Sequence, residues 1–87
     1  MEAEKLLAPM VATVVRVEVG PGEVVRAGQP VVVLESMKME HLVRAPRAGV
    51  VAAVDVAAGE TVRQHQPLLS LAPGADSGLP GRRNRVP

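Results

Sequence analysis

Apolar and polar positions fall into short runs along this chain, and none has the length and period of a helix. The stretch from Thr13 to Val19 ends in clean alternation. Val15, Val17 and Val19 share one side, and Arg16 and Glu18 the other, which predicts a half-buried strand. Shorter runs predict further strands at Lys5-Leu6-Leu7, ending at Pro9, at Glu23 to Arg26, and from Pro30 to Leu34. His41 to Ala45, Gly49 to Val56, Glu60 to Arg63 and Pro67 to Ala72 complete the set. Turns fall at Gly20-Pro21-Gly22 and Ala27-Gly28. On the strand beginning at Pro30, Val32, Leu34 and Ser36 share a face expected to point inward, and Val31 and Val33 take the other. In the later strand Leu69 and Leu71 are expected inward, with Leu68 and Ser70 outward.

The same pattern is written twice. A shift of 37 positions lays Ala8-Pro9 on Ala45-Pro46, Val17 on Val54, Gly22-Glu23 on Gly59-Glu60, Gln29-Pro30 on Gln66-Pro67 and Leu34 on Leu71. Two copies are too few for a solenoid, which needs roughly three or more, but they can close on each other about a pseudo-two-fold axis. The predicted fold is therefore all-β. It is a flattened eight-stranded barrel or sandwich of two antiparallel sheets, with pseudo-two-fold symmetry.

Between the copies, Val31 to Leu34 and Leu42-Val43 enclose Glu35-Ser36-Met37-Lys38-Met39-Glu40. Two strands so close must form a hairpin, with its tip at Met37-Lys38. Tight hairpin tips favour positive φ, and this one holds no Gly, Asn or Asp, so mild strain is expected. The repeat puts that tip at one end of the molecule and the chain termini at the other. A single lysine between two methionines is thereby presented away from the body.

Composition narrows the function. At 87 residues the chain is one domain. It has no Cys, Phe, Tyr or Trp, so Val, Leu and Ala fill the core without disulfide or thiolate metal support. A net charge of +1 and the lack of aromatic stacking groups argue against nucleic-acid binding. No apolar run approaches the ~20 residues of a membrane helix, and Met1-Glu2-Ala3-Glu4-Lys5 is unlike a signal or transit peptide. A cytosolic, cytoplasmic protein is expected, and Met1 with the tail points to a free-standing chain. Residues 1–72 form the expected domain; 73–87, rich in Gly and Pro and carrying Arg82, Arg83 and Arg85, form an expected disordered, solvated tail.

Catalytic and metal readings find little. His41 and His65 lie in unrelated segments without Cys partners, and Gly20-Pro21-Gly22 is not followed by the helix a phosphate loop needs. Glu35 and Glu40 bracket the hairpin, yet no pocket for acid–base work is evident. An exposed lysine amine is a weak nucleophile unaided. It becomes useful when a separate enzyme acylates it and it then carries a cargo. The expectation is a carrier, not an enzyme, with no catalytic groups and no metal.

Glu35-Ser36-Met37-Lys38-Met39-Glu40 resembles the attachment motif of biotinyl carrier domains, usually Glu-Ala-Met-Lys-Met. The resemblance extends over residues 5–72 and takes in Ala8-Pro9-Met10, Gly22-Glu23, Gly59-Glu60 and Arg44-Ala45-Pro46. Met39-Glu40-His41 followed by Arg44-Ala45-Pro46 is most similar to carriers of acyl-CoA carboxylases of the methylcrotonyl type. Ser36 replaces the usual Ala and is small enough for the same place. The short Gly20-Pro21-Gly22 link has no room for the protruding thumb of some bacterial acetyl-CoA carboxylase carriers.

The resemblance implies that a biotin protein ligase joins biotin covalently to Lys38, with Met37 and Met39 as recognition residues and Glu35 and Glu40 as further candidates for contacts. It also implies a cycle in which carboxybiotin on Lys38 travels between a biotin carboxylase and a carboxyltransferase. The alternative within the same fold is a lipoyl carrier of a 2-oxo acid dehydrogenase or glycine cleavage complex. Those usually have Asp before the lysine and a small residue after it, unlike Met37 and Met39. An efflux-adaptor hairpin domain is a third class, but a long helical hairpin would interrupt the repeat, and none does.

Overall fold

A computed structural model describes residues 3–74. The chain runs through eight strands: β1 (Glu4–Leu7), β2 (Ala12–Val17), β3 (Val24–Val25), β4 (Pro30–Ser36), β5 (Met39–Arg44), β6 (Gly49–Val54), β7 (Thr61–Val62) and β8 (Pro67–Pro73). They form two four-stranded antiparallel sheets, ordered β1-β8-β6-β3 and β5-β4-β2-β7. Every predicted strand is present, and β8 extends through Pro73, the first residue assigned above to the tail. Residues 75–87, with Arg82, Arg83 and Arg85, lie outside the described residues.

The offset of the sequence repeat is also the symmetry of the fold. It carries β1 onto β5, β2 onto β6, β3 onto β7 and β4 onto β8, so each sheet maps onto the other. Backbone hydrogen bonds between the halves come in reciprocal pairs. Ala8 N–H donates to Gln66 O and Ala45 N–H to Gln29 O, each at 2.8 Å. Gly22 N–H donates to Val51 O and Gly59 N–H to Val14 O, each at 2.7 Å. The core lies between the sheets and is built from Leu, Val and Ala, including Val14, Val32 and Leu34 of one sheet and Val51, Leu69 and Leu71 of the other.

Strict alternation fails at four places, and these too are symmetric. In the pairing of β2 with β4, Val14 opposes Leu34 and Arg16 opposes Val33, leaving Val15 as an extra residue; Ala52 is its counterpart between β6 and β8. In β4, Pro30 opposes Arg44 and Val32 opposes Val43, so Val31 is extra; Leu68 is its counterpart in β8. A bulge inserts one unpaired residue and shifts the alternation by one. Here it turns both Val31 and Val32 inward.

Val31 and Leu68, expected on the outer face, are therefore core residues at 0% exposure. Their carbonyls accept from Glu18 N–H and Asp55 N–H instead of from a ladder partner. Val33 does lie outside the core cluster, as expected, and Ser70 opposes exposed Lys5 and Ala53, but both are buried rather than solvated. Arg16 and Glu18 do stand on the solvent side, joined by a 3.0 Å ion pair.

Candidate functional site

The β4–β5 ladder is the frame of the site. Leu34 opposes His41, Glu35 opposes Glu40, and Ser36 opposes Met39, leaving Met37 and Lys38 as a two-residue turn. Their φ values are 56° and 65°, both left-handed. That is the signature of a type I′ turn, whose twist matches that of the flanking strands. A non-Gly residue in this region costs on the order of 1–2 kcal/mol. The strain expected from the sequence is thus present at both tip positions. Leu34, fully buried immediately below, ties the ladder to the core.

Register also fixes which end of the molecule the tip occupies. Thr13 pairs with both Glu35 and Thr61, and Ala12 pairs with Val62. The chain therefore leaves β7 toward the tip end, turns through Arg63 to Gln66, and enters β8 there. β8 runs away from the tip and closes beside Gly49 at the opposite end. Its partner β1 begins at Glu4, opposite Leu71. The tip and the ends of the described chain thus lie at opposite poles.

At the tip, Lys38 is exposed and makes no ion pair among the described residues. Met37 is 90% exposed and Met39 62%. Ser36 is half-buried and lies on the core-facing side with Leu34. Glu35 and Glu40 are exposed and directly opposite each other, so they form a like-charged cross-strand pair, not two walls of a pocket. His41 is half-buried on β5, while His65 is exposed in the turn before β8. Among the described residues no three His, Cys, Asp or Glu side chains could hold a metal ion. No helix among the described residues is long and apolar enough to cross a membrane.

Two features near the tip were not read from the sequence. Val11, 61% exposed, immediately precedes β2, the strand beside β4, and adds an apolar residue to the methionine-bearing end. His65 has φ of 73°, where its symmetry mate is Gly28 with φ of 87°. The repeat supplied the signal for His65, because Gly28 marks a turn position suited to positive φ.

Comparison with known proteins agrees with this geometry. Residues 4–71 match the family described as "Biotin-requiring enzyme", which spans biotinyl and lipoyl domains. A 40-residue stretch is 60% identical to the biotin carboxyl carrier protein of acetyl-CoA carboxylase from Solanum lycopersicum, covering 46% of this chain and 57% of that protein. A 40-residue match at 55% identity to the mitochondrial methylcrotonoyl-CoA carboxylase subunit alpha of Oryza sativa subsp. japonica covers 46% of this chain and 5% of that one. The chain thus spans little more than half of the first relative and a small part of the second.

Among solved structures, a single-chain, multi-domain long-chain acyl-CoA carboxylase superposes with a TM-score of 0.75 at 40% identity, over 78% of this chain and 7% of that one. The lipoyl domain of the 2-oxoglutarate dehydrogenase complex from Azotobacter vinelandii superposes with a TM-score of 0.72 at 28% identity, over 83% of this chain and 99% of that domain. With its two symmetric sheets, its lysine-tipped central hairpin and a family match that runs from β1 into β8, this chain belongs to the biotinyl/lipoyl attachment family.

Proposed function

We propose that this chain is a biotin carboxyl carrier domain, with biotin held as an amide on Nζ of Lys38. The observation that carries the reading is the hairpin tip: an exposed lysine on a type I′ turn, between two exposed methionines, at the pole away from the described chain ends. The group fits there. The amine has no competing ion pair among the described residues, and Ser36, at the base of the turn, is small. Once attached, biotin supplies a ring nitrogen that takes up a carboxyl group and later gives it up.

The chain's own residues contribute placement. The β4–β5 ladder and buried Leu34 hold the attachment point still, while the lysine stem, four carbons long, lets the cargo swing. Met37 and Met39 offer a biotin protein ligase an apolar surface on both sides of the amine, and Glu35 and Glu40 border it. Catalysis belongs to partners: a biotin carboxylase and a carboxyltransferase whose acceptor is an acyl-CoA. The carboxylase names of the relatives favour biotin over lipoate as the cargo.

The test is modification by purified ligases. With a biotin ligase, ATP and biotin, the chain should become avidin-reactive and Lys38→Arg should stay blank. Lys5 is the one other lysine in the sequence, so a persistent signal would sink the assignment. Uptake of lipoate but not biotin would hand the site to the lipoyl reading.

A further inference from the structure

Each sheet has two edges. β3 and β7 are two residues long, and β1 has four residues, including Lys5. Short edges and lysines are the usual protection against edge-to-edge pairing. The outer edge of β5 differs. It is six residues long, holds neither Lys nor Pro, and no strand pairs with it among the described residues.

A two-residue turn closes on a hydrogen-bonded pair, here Ser36 with Met39, and such pairs alternate along the ladder with non-bonded ones. Glu35–Glu40 and Val33–Leu42 are then non-bonded pairs. The backbone groups of Glu40 and Leu42 consequently point outward from the edge. The side chains of Glu40, Leu42 and Arg44 alternate with half-buried His41 and Val43 and share the solvent face, where Arg44 also donates from one guanidinium nitrogen to Gly28 O at 2.9 Å. Leu42 is 45% exposed in the middle of that row. Glu40 also sits opposite Glu35 in the closer type of pair, where like charges are destabilising. The ion pairs among the described residues, Arg16–Glu18 and Arg47–Glu4, leave both glutamates without a cation.

We infer that two copies of this chain associate through β5, antiparallel and centred on Leu42. The row reads acidic, apolar, basic, so it is complementary to itself when reversed. Leu42 meets Leu42 of the second copy across the two-fold axis, and Glu40 meets the second copy's Arg44 twice over, as a closed dimer requires. The outward-facing backbone groups pair at the same positions. The contact gives Glu40 the cation it lacks and continues the β5-β4-β2-β7 sheet into its mate. Because the strands oppose, the two Lys38 tips point in opposite directions. A contact of this size is well below the ~20–30 residues a side of standard interfaces, so the dimer is a weak one.

The experiment is sedimentation equilibrium of the full chain up to the order of 1 mM. Wild type should self-associate. Glu40→Arg and Arg44→Glu each spoil two symmetric pairs and should weaken association about tenfold. The double exchange Glu40→Arg/Arg44→Glu should restore it. A monomer throughout, or single reversals without effect, or a double exchange that fails to restore association, would each overturn the inference.

A second measurement reads the register. The chain has no cysteine, and directly paired Cα atoms lie about 5.5 Å apart, within disulfide range. Leu42→Cys with oxidised glutathione should yield a covalent dimer, two thiols giving their electrons to one glutathione disulfide, which leaves as two thiols. Val24→Cys, on the other sheet, sets the rate of random collision, and Leu42→Cys crosslinking no faster than that would also overturn the inference.

Discussion

Leu68→Ala separates a strand that alternates without interruption from one that bulges. If β8 alternated strictly, Leu68 would face outward with Ser70 and its truncation would cost little. The bulge instead places Leu68 in the core at 0% exposure, beside equally buried Leu69. Removing three methylene equivalents at about 0.8 kcal/mol each gives roughly 2.4 kcal/mol before any cavity term. Incomplete collapse of the cavity raises buried Leu→Ala costs to about 2–5 kcal/mol. A core this small supplies only ~3–5 kcal/mol in total.

Leu68→Ala should therefore leave the domain largely unfolded, as should Leu71→Ala and Leu34→Ala. Val31→Ala, the symmetry mate of the Leu68 change, removes two methylene equivalents and should cost about 1.6 kcal/mol or more. Urea titration must be followed by far-ultraviolet circular dichroism, because without Phe, Tyr or Trp the chain has no intrinsic fluorescence to report packing. If Leu68→Ala stays within about 0.5 kcal/mol of wild type while Leu71→Ala unfolds, the bulge does not turn Leu68 inward.

Other outcomes are equally direct. Gly28→Ala should cost roughly 1–2 kcal/mol, since φ is 87° and an added Cβ would meet nothing within 4 Å. His65→Gly, relieving a φ of 73°, should be neutral or stabilising by up to about 1 kcal/mol; the opposite order in urea would refute the strain assignment. Met37→Asp should slow biotinylation by the ligase, and unchanged kinetics would remove Met37 from recognition. Deleting residues 75–87, which hold little apolar surface to bury, should move Tm by less than about 2 °C; a drop of several degrees would show that they pack on the body.

The repeat made most of this fold legible. A shift that keeps Gly22-Glu23 and Gln29-Pro30 in register fixes turns and strands together, so eight short strands could be placed although β3 and β7 are only two residues long. The positive φ at the tip followed from loop length alone. What escaped was the inward turn of Val31 and Leu68. Val31-Val32-Val33-Leu34 is apolar throughout, so nothing in the pattern marks where a bulge lets two neighbours face the same way. At two of the bulges the carbonyl of the extra residue, Val31 or Leu68, accepts from Glu18 or Asp55 N–H, a partner remote in sequence. At the candidate site, Lys38 and its methionines were plain from the motif. Val11 was not, because its place beside the hairpin exists only once β2 lies against β4.

The pseudo-two-fold has a consequence for how such a molecule can be cut and joined. β8 and β1 pair as β4 and β5 do, with Leu69 on Leu6 where Val32 meets Val43. They are a hairpin without its turn. A short link between Pro73 and the start of β1 would close the chain into a ring of two equivalent loops, and opening that ring at Met37-Lys38 would return the same architecture with the halves exchanged. The pole that bears the lysine is thus set by where the chain is left open, not by the fold. A Met-Lys linker at the other pole would give one body two attachment arms, facing opposite ways.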